Sequence, residues 1–311
     1  MKPLRTIFAG TPAFAVPALE ALLASGHRPL AVLTQPDRGA GRGRRVAYGP
    51  VKQLAVEAGV DVLQPTSLKT AEVREQLAAL NPDLLITAAY GLLLPQAVLD
   101  LPVHGCWNLH ASLLPRWRGA SPINQAILAG DAESGISLMQ MEAGLDTGPV
   151  LLQASTRIDP DENAGQLHDR LSVMAAAVLI EGLDRLISSQ LPAPVPQNPA
   201  LATHAPMIDK ADARLDWRRD AADLARMVRA YNPWPVAFGE IEGLECRIFK
   251  ATAIVENSGP AGRLVRDPGF RDRVRVACGA GALDIFELQA PGRKRISARD
   301  WLNAHPDWMR Q

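Results

Sequence analysis

Two hydrophobic rhythms alternate along the first part of the chain. Short aliphatic runs at residues 4–9, 29–34, 60–63 and 84–89 read as strands. Between them, apolar residues recur at three- and four-residue spacing, which predicts helices over 10–25, 51–58 and 68–80. In the first helix Thr11 is the expected N-cap, Pro12 fits the first turn, and Gly26 ends it. The run 84–89 is almost wholly apolar, as in a strand buried on both faces. A turn at Tyr90-Gly91 and a short helix follow, then a strand at 106–109 and a helix at 121–129 begun by Ser121-Pro122. Strands at 135–141 and 149–158 precede one long helix at 163–189. Strands alternating with helices predict an α/β domain, Rossmann-like, with a mostly parallel sheet and helices on both faces.

The pattern changes after residue 189. Residues 190–208 contain Pro192, Pro194, Pro196, Pro199 and Pro206, and predict an extended, fairly stiff connector. Beyond it come one helix, 219–230, and short β-type runs at 236–241, 244–251, 262–265, 274–278 and 282–288. Strands of that length with turn residues between them predict a small β-barrel. The expected organisation is therefore a domain over 1–189, a linker over 190–208 and a second domain over 209–311. No internal repeat is visible.

Composition narrows this picture. An apolar fraction of 47% with balanced charge belongs to an ordinary globular protein. The cysteines, Cys106, Cys246 and Cys278, form no CxxC pair, so neither a disulfide framework nor a zinc site is expected, and a cytoplasmic setting fits. The apolar part of the N-terminus is too short for a signal peptide, and no run approaches bilayer length, so no membrane association is expected. Formal net charge is zero, but it is unevenly spread: residues 209–311 carry 18 basic and 15 acidic side chains. The local extreme lies between Asp37 and Lys52, where Arg38, Arg42, Arg44, Arg45 and Lys52 face only Asp37. Four glycines between Pro36 and Pro50 exclude a helix interior there. Such an arm suits nucleic-acid phosphates, although a solvated surface loop has the same composition.

The candidate chemistry sits at the end of the strand at 106–109. Asn108 and His110 are two residues apart, so on a strand both point to one face. In an open α/β sheet ligands bind beyond the carboxyl ends of the strands, where His110 falls. Asp146 follows a second apolar run and can reach the same place. Together they supply an amide donor, a proton carrier and a carboxylate, the parts that acyl transfer uses. Each has a plainer account: a strand-end His and Asn can satisfy backbone groups, and Asp146-Thr147-Gly148-Pro149 is good turn chemistry. At the first βα turn only Gly10 is present and the GxGxxG pattern is missing, so a nicotinamide cofactor is not supported.

Asn108-Leu109-His110-Ala111-Ser112-Leu113-Leu114-Pro115, then Arg118-Gly119 and Asp146-Thr147-Gly148-Pro149, resemble the signature of formyltransferases that use 10-formyltetrahydrofolate. The likeness extends to Phe8-Ala9-Gly10-Thr11-Pro12, to residues 35–52, and to Tyr231-Asn232-Pro233-Trp234-Pro235. It implies that Asn108, His110 and Asp146 are the catalytic set. It further implies that Ser112, Leu113, Leu114 and Pro115 bind the folate, with 10-formyltetrahydrofolate as co-substrate and no metal. The basic arm and the C-terminal module point, within that family, to members that formylate the initiator methionyl-tRNA. By that resemblance Arg38, Arg42, Arg44 and Arg45 contact the tRNA, the C-terminal barrel is of the oligonucleotide-binding (OB-like) kind, and the chain is expected to be a monomer. Met207 stands where the family pattern leads one to expect Lys.

The acceptor in such a reaction is a free amine, so the enzyme need not supply a nucleophile. Asn108 would donate to the oxygen on which charge develops. Asp146 would act through His110 or take the amine's proton through water, and the sequence leaves both open. The acceptor is also open to two other assignments, another amine or water. A non-catalytic tRNA-binding protein would need only the arm and the barrel.

Overall fold

The aliphatic runs meet in one twisted sheet. A computed structural model describes residues 3–37, 39–40 and 45–46 (backbone only), 48–256, 259–267 and 269–308. The chain forms two compact units. One comprises Met1–Pro122, Glu133–Arg157 and His168–Ala205; the other comprises Ile123–Ala132, Ile158–Leu167 and Pro206–Gln311.

In chain order the elements up to residue 205 are β1 (Thr6–Gly10), α1 (Val16–Ala24), β2 (Ala31–Leu33), the hairpin strands β3 (Gly39–Ala40) and β4 (Arg45–Val46), α2 (Pro50–Glu57), β5 (Asp61–Leu63), α3 (Ala71–Ala79), β6 (Leu84–Ala88), α4 (Gln96–Leu99), β7 (Cys106–His110), β8 (Arg118–Gly119), α5 (Pro122–Ala129), β9 (Glu133–Gln140), β10 (Val150–Arg157), α6 (Ala164–Ile187) and β11 (His204–Ala205). The sheet order is β10-β9-β7-β6-β1-β2-β5. The five strands from β7 to β5 are parallel, whereas β9 and β10 run antiparallel along one edge. The sheet is thus parallel-dominant, as expected.

Both faces are covered, which explains the uninterrupted apolar runs. Ile7, Ala9, Leu85 and Cys106 pack with Leu77 of α3 and with Val98 and Leu99 of α4. On the opposite face Trp107 meets α6 at Gly182, where an added Cβ would lie 3.4 Å from the indole and 2.5 Å from Leu138. Glycine lets that helix approach closely. The helix begins with reciprocal bonds between Asn163 and Gln166, each side chain accepting from the other's backbone N–H at 3.0 Å.

The N-cap expected at Thr11 is not there. Its hydroxyl accepts from the Gln35 N–H at 3.2 Å and donates to the Tyr90 carbonyl at 3.3 Å. A 3-10 turn, Ala13–Ala15, intervenes before α1. Thr11 follows β1 at the carboxyl edge of the sheet, and there tertiary partners displace the local one.

The remaining elements are α7 (Ala221–Ala230), β12 (Phe238–Ile241), β13 (Leu244–Ile254), β14 (Leu264–Val265), β15 (Val274–Ala277), β16 (Ala282–Gln289), β17 (Ile296–Ser297) and α8 (Ala298–Ala304). They form a curled antiparallel sheet in the order β12-β13-β16-β15-β14, with β17 added on β16. This is the OB-like half-barrel. Its longest strand, β13, pairs with β16 through two register shifts, the irregularities that bend a strand round a small core. In α7, Ala221, Leu224, Met227 and Val228 are buried, an amphipathic stripe against that core. The β17–α8 corner was not expected from the sequence; Ser297 caps α8 by accepting from the Asp300 N–H at 3.1 Å. Among the described residues no helix is long and apolar enough to cross a membrane.

Trp107 is 2% exposed and fills the space beneath α6. Trp107→Ala is expected to lower stability by about 3–5 kcal/mol, seen as a shifted urea midpoint with an unchanged slope.

Candidate active site

Register along the sheet, more than any single motif, assembles the site. Strand β7 ends with Asn108 and His110, and its parallel partner β6 places Thr87 beside Asn108. The Thr87 hydroxyl donates to Asn108 Oδ1 at 2.8 Å. That turns Nδ2 away, and Nδ2 donates to Asp146 Oδ1 at 3.3 Å. An ionised carboxylate only accepts, so the amide nitrogen must face it and the orientation of Asn108 is settled by its two neighbours.

Asp146 is held from a second side. Its Oδ2 accepts the Gly119 N–H at 2.9 Å and lies 3.6 Å from His110 Nδ1. The other ring nitrogen, Nε2, donates to the Trp117 carbonyl at 2.8 Å, since a carbonyl can only accept. That bond fixes the tautomer of the neutral ring. Any second proton therefore sits on Nδ1, facing Asp146. His110 is 5% exposed. Asn108 and Asp146 are only partly buried, so the constellation is open on their side.

Two non-glycine residues here adopt the left-handed region: Trp117 at φ 63° and Asp146 at φ 51°. Such backbones cost roughly 1–3 kcal/mol each and persist where the surroundings hold them. Gly119 is also required: at φ 121°, an added Cβ would lie 2.5 Å from the Ala205 carbonyl oxygen. The glycine lets β8 pair with β11 while its N–H reaches Asp146.

The sequence-expected residues fall as follows. Asn108, His110 and Asp146 converge. The segment Ser112–Leu113–Leu114–Pro115 follows directly; Ser112 and Leu114 are buried, while Leu113 and Pro115 are partly exposed. The Ser112 hydroxyl donates to the Arg116 carbonyl at 2.6 Å, and Ser137 Oγ bridges the Leu114 N–H and the Ser112 carbonyl. Arg38, Arg42 and Arg44 lie outside the described residues, and Arg45 is described only as backbone in β4. The base of that arm is well tied. Lys52 pairs with Asp37, donates to Gln64 Oε1 at 2.7 Å and lies over the Tyr48 ring at 4.1 Å. The Lys52 ammonium and then the Gln64 amide hold the Asp37 carboxyl below the usual carboxylate range.

Thr87 was not anticipated from the sequence, although it is the one polar residue in the run Leu84-Leu85-Ile86-Thr87-Ala88. The Trp117 carbonyl and the Gly119 N–H leave no side-chain signal. The three cysteines are not nucleophile candidates. Burial pushes the Cys106 thiol up to about 12, with Asp100 adding to it, and burial pushes the Cys246 and Cys278 thiols to about 11.

An open, parallel-dominant sheet with an amide, an imidazole and a carboxylate at the carboxyl ends of its strands is the architecture of a group-transfer enzyme. The chain belongs to the formyl transferase family: residues 4–183 match the formyl transferase model and residues 207–306 match the formyl transferase C-terminal domain. It is 53% identical over 303 residues, 97% of each chain, to the methionyl-tRNA formyltransferase of Methylococcus capsulatus. It is likewise 53% identical over 304 residues, 98% of each chain, to that of Stenotrophomonas maltophilia. Among solved structures it superimposes with a TM-score of 0.69 on WlaRD, a sugar 3N-formyl transferase solved in the presence of dTDP and 5-N-formyl-THF. That match has 15% identity and covers 94% of this chain and 99% of the other.

Thr87→Val keeps the shape but removes the hydroxyl that aims Asn108. Formyl-transfer turnover is expected to fall about tenfold, the worth of one hydrogen bond, with stability changed by less than about 1 kcal/mol. Thr87→Ser is expected to retain activity, as steady-state rates and thermal melts of both variants will show.

Proposed function

We propose that this protein transfers the formyl group of 10-formyltetrahydrofolate to the α-amino group of methionyl initiator tRNA, the reaction that prepares that tRNA for translation initiation. The observation that carries the proposal is the convergence of Asn108, His110 and Asp146 in a chain with the near-full-length relatives just described. The folate donor supplies an activated formyl carbonyl. Every other part of the chemistry falls to side chains of this chain.

The donor set fits such a carbonyl. Asn108 Nδ2 carries two hydrogens; one goes to Asp146, and the second is available to an oxygen gaining negative charge. Because Thr87 fixes the amide, that donor is set before the reaction begins, which is what makes such a bond effective. His110 Nδ1 and Asp146 Oδ2 face each other at 3.6 Å, an imidazole and a carboxylate that together can take up a proton. As the amine nitrogen bonds to the formyl carbon and the carbon–N10 bond breaks, the amine must lose a proton and N10 must gain one; this pair is the acceptor we assign for the first, and the same proton passes on to N10. The segment 112–115, with its partly exposed Leu113 and Pro115, is assigned to the folate. Residues 1–189 would form the catalytic part, residues 190–208 the linker, and residues 209–311 the tRNA-binding part.

Discrimination between acceptors is assigned to Arg38, Arg42, Arg44 and Arg45, whose charge suits phosphates. The ion pair of Asp37 with Lys52 closes the base of their arm.

The test is formyl incorporation from the donor into charged initiator tRNA, uncharged tRNA and a small free amine. Transfer to the charged tRNA alone is expected; failure with it would sink the proposal. Asn108→Ala and His110→Ala are each expected to lower turnover by roughly 10²–10³. Arg42→Ala is expected to raise KM for charged tRNA several-fold with KM for the folate donor unchanged. Equal tRNA kinetics in wild type and variant would reduce the arm to a surface loop.

A further inference from the structure

The proline-rich stretch after α6 is more than a connector. Val195 exchanges both backbone hydrogen bonds with Val150, at 2.9 and 2.8 Å. Farther along, β11 pairs with β8, and the Arg118 N–H donates to the Thr203 carbonyl at 2.9 Å. Every residue from 192 to 200 is exposed except Gln197, which is turned inward.

Gln197 uses its whole amide on the site. Nε2 donates to the Asp146 carbonyl at 2.9 Å and to the Gly148 carbonyl at 2.7 Å. Oε1 accepts from Arg118 Nε at 2.9 Å. It therefore ties the turn that presents the Asp146 carboxylate to β8, whose Gly119 N–H binds that carboxylate. Thr203 does the same for the imidazole. Its Oγ1 accepts the Trp117 N–H at 2.9 Å, and the Trp117 carbonyl receives His110 Nε2–H.

The two backbones so held are the two left-handed non-glycine residues of the site, Asp146 and Trp117. A strained conformation persists only where its surroundings over-determine it, and at each position one strap side chain supplies a bond. A segment stiffened by Pro196 and Pro199, with a 3-10 turn at Pro199–Leu201 where an extended connector was expected, can do this without first losing much conformational freedom of its own.

We propose that residues 195–205 form a positioning strap, in which Gln197 sets Asp146 and Thr203 sets His110 through Trp117. Neither side chain contacts His110 or the Asp146 carboxylate, so these are positioning residues. The proposal rests on the assignment of Asp146 and His110 to the reaction.

The test uses the full chain with formyl donor and charged initiator tRNA. Gln197→Ala is expected to lower kcat by about 10- to 100-fold, since small misplacements of a catalytic group cost that much. KM for both substrates should stay within about twofold and the melting temperature within a few degrees, since Gln197 is only partly buried and water can take over its hydrogen bonds. Gln197→Glu keeps the acceptor for Arg118 but cannot donate to the Asp146 and Gly148 carbonyls, and is expected to be as slow as Gln197→Ala. Thr203→Val is expected to lose turnover and Thr203→Ser to restore it. Combining Gln197→Ala with Asp146→Ala should add little to the loss from Asp146→Ala alone, because both act on one group.

Wild-type kcat in Gln197→Ala and Thr203→Val, beside a collapsed Asp146→Ala, overturns the strap and leaves the catalytic assignment standing. A loss of melting temperature with kcat intact also overturns it. Normal turnover in Asp146→Ala overturns the catalytic assignment and the strap with it.

Discussion

The site depends on a carboxylate held in one orientation by groups from two separate stretches of chain, β7 and β8. Asp146 is offered from a strained turn, receives the Gly119 N–H on one oxygen and the Asn108 amide on the other, and faces the imidazole of His110. A carboxylate has only acceptors, so each surrounding donor is forced to point at it. Through that constraint Asn108 takes its orientation, and Thr87, on the neighbouring strand, completes it. His110 is constrained from the other end, by the Trp117 carbonyl.

Most of the bonds that aim these groups involve main-chain atoms. The Gly119 N–H and the carbonyls of Trp117, Asp146 and Gly148 all take part. Main-chain groups on a packed scaffold are already ordered, so little freedom is lost when they bind. The scaffold here is the β7–β9 pairing together with the β8–β11 ladder. The segment after α6 contributes to that ladder, which places a conformationally stiff, proline-rich stretch next to the proposed proton-handling pair.

The C-terminal unit handles its charge differently. Arg275 binds Asp284, itself 2% exposed, through two nitrogens at 2.6 and 3.0 Å, and Arg273 reaches the same carboxylate at 3.4 Å. Arg218 pairs with Asp216, Arg219 with Asp223 and Arg295 with Glu287. A modest excess of basic residues thus coexists with many internal pairs. Exposed pairs of this kind add little to stability, and their cations remain near the surface.

The α/β alternation, the double-sided burial of β6 and the change to short strands after residue 208 were legible in the chain, because each rests on local periodicity. The shared face of Asn108 and His110 was legible too, since it follows from the two-residue repeat of a strand. Asp146 could be named from sequence as a carboxylate in a turn, but its approach to His110 could not, since 36 positions separate them and only the antiparallel turn-back of β9 and β10 closes the gap. Thr11 shows the limit from the other side: its local signal marks a cap, and tertiary partners take the hydroxyl instead. Gln197 and Thr203 sit in a stretch whose prolines announce only stiffness. Local periodicity and residue chemistry suffice to name the elements and the residue types able to handle an acyl group. Which of them meet was decided by sheet register and by backbone hydrogen bonds between distant segments, and these carry no side-chain signature.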